Sequence, residues 1–82
     1  MSPFRYRVDV LEQLLVHGVR PTSHTRPELV REFVRDLYRH ELRALRAKML
    51  RRAFPKAEYA ARVSRLRDRY PVLALLPPQL LE

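Results

Sequence analysis

Thr25-Arg-Pro-Glu-Leu-Val-Arg-Glu-Phe-Val-Arg-Asp-Leu-Tyr-Arg-His-Glu-Leu-Arg-Ala-Leu-Arg-Ala-Lys-Met-Leu-Arg-Arg-Ala-Phe54 contains no glycine, and no proline after Pro27. Leucine, arginine, glutamate and alanine favour helix, so the stretch predicts one long helix over 26–54. Thr25 followed three residues later by Glu28 has the spacing of a capping box, and Pro27 falls in the first turn, where a missing N–H is harmless. Pro55 ends the run by disfavouring helical backbone at Phe54. About 28 residues at 1.5 Å each make a rod of about 42 Å, long for a chain of 82 residues.

The apolar residues of this rod occupy two faces. Val30, Phe33, Val34 and Leu37 share one side of the first turns, while Tyr38, Leu42, Leu45, Met49 and Ala53 lie about 120° further round. Two packing partners are therefore expected: the preceding segment against the first half and the following segment against the second.

Upstream, Phe4, Val8, Leu11 and Leu15 follow a 4-3-4 stripe that predicts a helix over about 4–17, with Ser2 and Pro3 at its start. A rival start lies at Asp9 and Glu12, another capping-box spacing. Residues 4–8 also alternate as a short strand would, but a lone strand in a helical chain has no partner. Gly18, the single glycine, stops this helix. Downstream, Tyr59, Val63, Leu66 and Tyr70 give a third stripe over 56–70. Residues 71–82 then turn apolar, with Val72, Leu73, Leu75, Leu76, Leu80 and Leu81 among three prolines.

The expected architecture is all-α and a single domain: a helical hairpin of 4–17 and 26–54, a third helix over 56–70, and an extended apolar tail. Two readings of the tail are open. It wraps over the bundle to complete a thin core, as a chain this small needs, or it docks in a partner's groove.

Seventeen Lys and Arg face nine Asp and Glu, a net charge of +8. Residues 1–42 carry seven basic and six acidic side chains, residues 43–70 carry ten and two, and residues 71–82 carry only Glu82, so the whole excess lies in the middle block. Upstream, Glu28 with Arg31, Glu32 with Arg35 and Asp36 with Arg39 sit at i,i+3, a self-neutralising pattern. Arg43, Arg46, Arg51, Arg52, Arg62, Arg65 and Arg69 have few acids within reach and are the candidate partner- or phosphate-binding residues. Leu73, Leu75, Leu76, Leu80 and Leu81 are the candidate apolar docking residues.

Leu37-Tyr38-Arg39, followed by Leu42-Arg43 and Phe54, resembles the signature of the LYR-motif proteins, small basic three-helix adaptors of mitochondrial assembly. The resemblance spans about residues 37 to 70 and implies an adaptor role.

The absence of cysteine removes disulfides and cysteine zinc sites. His17, His24 and His40 form no metal-binding pair at helical spacing, and one glycine cannot build a phosphate loop. No catalytic residue, metal or cofactor is expected. No run approaches a membrane span or the h-region of a signal peptide, so a cytoplasmic protein is expected.

A basic, non-catalytic adaptor or small accessory subunit follows, docking on a larger acidic protein or complex through its arginines and leucine-rich tail. The alternative partner is nucleic acid, with Tyr59 or Tyr70 stacking on bases. An anionic membrane suits the chain less well, for want of tryptophan, and self-association is left open.

Overall fold

A computed structural model describes residues 3–82, so Ser2 as a helix cap lies outside the described residues. They form an all-α fold of three helices: α1 (Val8–Val16), α2 (Pro27–Leu50) and α3 (Tyr59–Asp68). A 3₁₀ turn, Lys56–Glu58, leads into α3, and the tail forms two more, Pro71–Ala74 and Pro77–Leu80. The molecule is a rod of 52 × 18 × 16 Å with a radius of gyration of 15.1 Å. A compact chain of this length would have a radius of about 12 Å. The 24-residue α2 sets the long axis.

The packing departs from the expected hairpin. The chief partners of α2 are α3 and both tail turns, and α1 packs against the first tail turn. The tail thus takes the place expected of α1 along the first half of α2. Its Val72 and Leu80, 2% and 0% exposed, join Val10 and Leu14 of α1 and Val30 and Val34 of α2 in one core with Tyr6, Leu66 and Tyr70. The tail is neither extended nor detached; it is the middle layer.

That layer explains two further differences. Residues 4–7 precede the helix, with Tyr6 opposite Leu81 in an isolated antiparallel bridge. The Arg7 N–H donates to Leu80 O (3.0 Å) and the Glu82 N–H to Arg5 O (2.8 Å). The extended segment found its partner in the far end of the chain. Packing on the first tail turn also changes the buried face of α1: Val10 and Leu14 are buried, whereas Val8, Leu11 and Leu15 of the expected stripe are exposed.

Two helix ends use the same device. After α1, the Gly18 N–H donates to Leu15 O and the Val19 N–H to Leu14 O, with Gly18 at φ +75°. After α2, the Arg52 N–H donates to Met49 O and the Ala53 N–H to Lys48 O, with Arg52 at φ +60°. Both are Schellman motifs. The second ends α2 at Leu50 rather than Phe54, and the reversed chain brings Phe54 to a buried position beneath the Arg62 guanidinium, 4.2 Å from the ring centre.

The start of α2 lacks its expected capping box. Its N-cap is Arg26, without a side-chain cap, because the Thr25 hydroxyl accepts the Thr22 N–H (2.9 Å) inside the preceding turn. Phe33, expected in the core, is 55% exposed; with Leu29, Val19 and Pro21 it lines an open hollow of about 350 Å³.

Candidate functional site: a basic groove between the second and third helices

The second half of α2 and the whole of α3 lie side by side and leave an open groove of about 300 Å³. Ala44 and Leu45 of α2 and Leu66 of α3 provide its apolar surface, and Lys48, Arg62, Arg65 and Arg69 its cations. Glu41 is its one acid, and that carboxylate accepts a hydrogen bond from the Tyr70 hydroxyl. Helical spacing places the residues here. Glu41, Ala44, Leu45 and Lys48 recur every three or four positions on α2, as do Arg62, Arg65, Leu66 and Arg69 on α3.

Of the seven arginines singled out in the sequence, the groove gathers Arg62, Arg65 and Arg69. Arg43 and Arg46 project from the far side of α2, since at 100° per residue each falls about 150° from the mean direction of Glu41, Ala44, Leu45 and Lys48. Arg51 and Arg52 form the turn at the tip of α2, and all four are exposed. The seven therefore divide among a groove, a back face and a tip. Lys48 is the functional candidate absent from that set; the signal was its i+3 and i+4 spacing from Leu45 and Ala44 on the α3-facing stripe.

Among the described residues only Arg62 of the seven has a carboxylate within 4.0 Å: Glu58, at 3.7 Å. Both partners are about 40% exposed, so the pair contributes on the order of 0–1 kcal/mol. Arg62 is also half-buried, and its Nε has no hydrogen-bond partner.

The upstream arginines behave otherwise. None of the expected pairs of Arg31, Arg35 and Arg39 with Glu28, Glu32 and Asp36 forms within 4.0 Å. Arg31 instead donates from Nε to Leu75 O (2.9 Å) and from Nη2 to Leu73 O (3.0 Å). Arg7 donates from Nη1 to Gln79 O (3.0 Å) while pairing with Asp9 at 2.6 Å, which holds the Asp9 carboxyl below the usual carboxylate range. These two arginines fasten the tail.

The tail leucines are placed accordingly. Leu80 is core; Leu73, Leu75 and Leu81 are half-buried against it; Leu76, 64% exposed, alone of the five presents most of its side chain.

Both tyrosines expected to stack on bases lie inward. Tyr70 is 4% exposed, its ring stacked on His17 (centroids 4.1 Å apart) and in edge contact with Tyr38 (5.4 Å). Burial first, then the hydrogen bond to Glu41, pushes its hydroxyl up to about 12. Tyr59 is half-buried. His17 also bonds through Nε2 to Arg69 O (2.6 Å), tying α1 to the end of α3.

Among the described residues no cluster of three or more His, Cys, Asp or Glu could hold a metal ion, and no helix is long and apolar enough to cross a membrane. Leu37 and Tyr38 of the Leu37-Tyr38-Arg39 tripeptide are half-buried and packed on the core in mid-α2. No family model, curated protein or solved structure compared with the chain matches it.

Proposed function

We propose that this protein is a non-catalytic basic adaptor, or small accessory subunit, that docks on an acidic surface of a larger protein or complex through the α2–α3 groove. The observation that carries this reading is the groove itself: four cations beside an apolar surface, with Arg62–Glu58 as their single ion pair within 4.0 Å among the described residues. Unpaired arginine forks beside leucine suit a carboxylate-bearing protein surface, which offers anions and apolar side chains together. Of the tail leucines, Leu76 alone keeps enough exposed side chain to add to docking.

Nucleic-acid binding is the second reading, favoured by Arg43, Arg46, Arg51 and Arg52, which are exposed and have no carboxylate within 4.0 Å. Affinity capture from a nuclease-treated native lysate separates the two. The adaptor reading expects a discrete protein retained by wild type and lost with the Arg65→Glu/Arg69→Glu double variant. Capture that disappears with nuclease, together with RNA affinity falling steeply with salt, would replace it with the second reading.

A further inference from the structure

We infer that the groove receives an acidic amphipathic helix of the partner, laid between α2 and α3 as a third parallel or antiparallel rod. This rests on the adaptor reading and specifies what the partner presents. Arg62 and Arg65 on α3 and Arg69 at its C-cap, still in right-handed helical backbone, stand at i, i+3 and i+7, a rise of about 10 Å. Carboxylates at the same spacing on a second helix repeat at the same rise, so the two rows stay in register.

Apolar surface supplies the other half of the match. Ala44, Leu45 and Leu66 lie beside the cations, and the leucines of an incoming helix have somewhere to go once its acids have paired. A phosphate backbone has no use for that surface, and the tyrosine nearest the groove cannot stack on a base because its ring is already stacked on His17. Ala44 matters by its size: packed helices lie about 8–10 Å apart depending on the side chains at the contact, and a small residue permits the closer end of that range. Glu41 is an acid at the edge of the groove, so the partner helix should carry a neutral or basic residue opposite it.

The test uses the full chain and two synthetic peptides of about four turns with identical composition. In one, leucines recur at i, i+3, i+4 and i+7 with glutamates flanking them; in the other the leucines are dispersed around the helix. Fluorescence anisotropy should show the amphipathic peptide binding at least tenfold tighter. Arg65→Glu/Arg69→Glu should weaken it by tenfold or more, and Arg67→Glu, an exposed change on the other side of α3, by less than threefold. Circular dichroism confirms that each variant is folded, since all three positions are exposed.

Equal affinity for the two peptides overturns the helix inference. If both are then lost in the Arg65→Glu/Arg69→Glu variant, acidic docking survives without a helix. If neither responds to that variant, the adaptor reading falls as well. Displacement of the amphipathic peptide by equimolar single-stranded RNA would also overturn the inference.

Discussion

Arg31 lies against the tail and gives two N–H groups to its carbonyls, whereas Arg65 lines a groove and has no carboxylate within 4.0 Å among the described residues. The same side chain, on two helices of one rod, serves opposite ends. At the tail end, Arg7 and Arg31 bind main-chain oxygens of a segment with few partners of its own, and the charge is spent in holding the fold. At the groove end, Arg65 and Arg69 form no ion pair within 4.0 Å among the described residues, and it is this charge that the proposed function assigns to a partner. Net charge alone does not distinguish these uses. What does is whether apolar chain with unsatisfied carbonyls lies within a guanidinium's reach.

The sharpest way to break this comparison is to remove the tail. A chain ending at Tyr70 lacks Val72 and Leu80 and uncovers Val10, Leu14, Val30 and Val34, a loss of several core side chains at about 2–5 kcal/mol each from a small domain. Thermal unfolding followed by circular dichroism should show no cooperative transition. A truncated chain that melts cooperatively would mean that the tail merely covers a core complete without it.

A subtler challenge comes from Tyr70, whose contacts span both ends. Its folded ionisation near 12 lies above the ordinary 10, so the fold prefers the neutral phenol. That preference contributes in full below pH 10 and is lost as pH rises from 10 through 12. Tyr70→Phe removes a hydrogen bond at a cost of about 1 kcal/mol at pH 8. The gap between wild type and variant in urea midpoint should narrow above pH 10; a constant gap would deny the burial and the bond to Glu41.

The two Schellman caps offer a smaller test. Gly18 occupies the left-handed region without strain, whereas Arg52 occupies it against the usual preference of a side chain with a Cβ. Gly18→Ala should destabilise by about 1 kcal/mol, and Arg52→Gly should stabilise by about 0.5–1 kcal/mol. Urea titration measures both, and an Arg52→Gly loss would show that its side chain has a structural task.

Much of this was legible in the residues. Gly18 stops the first helix, Leu66 and Tyr70 of the third stripe are buried, and wrapping of the tail over a thin core is one of its two readings, whereas α2 stops at Leu50, ahead of the stop expected from Pro55. The misplaced features share a cause, which is distance along the chain. The strand-like alternation of residues 4–8 has no partner nearby in sequence, yet residues 5–7 find one in residues 80–82. The stripe of Phe4, Val8, Leu11 and Leu15 predicts packing against α2, whereas α1 packs on the first tail turn. The acids near Arg31 were adjacent in sequence, yet two carbonyls more than forty residues away took its N–H groups. At the groove, helical spacing could place Arg62, Arg65 and Arg69 together, but only the packed pair of helices separates them from Arg43 and Arg46.

The most direct test of the division of labour is one urea-denaturation series comparing Arg31→Ala with the Arg65→Ala/Arg69→Ala double variant. The account predicts a loss of about 1.5–3 kcal/mol for Arg31→Ala, whose removal strands two carbonyls, and a change within about 0.5 kcal/mol for the double variant. Equal losses, or a larger loss for the groove pair, would contradict it.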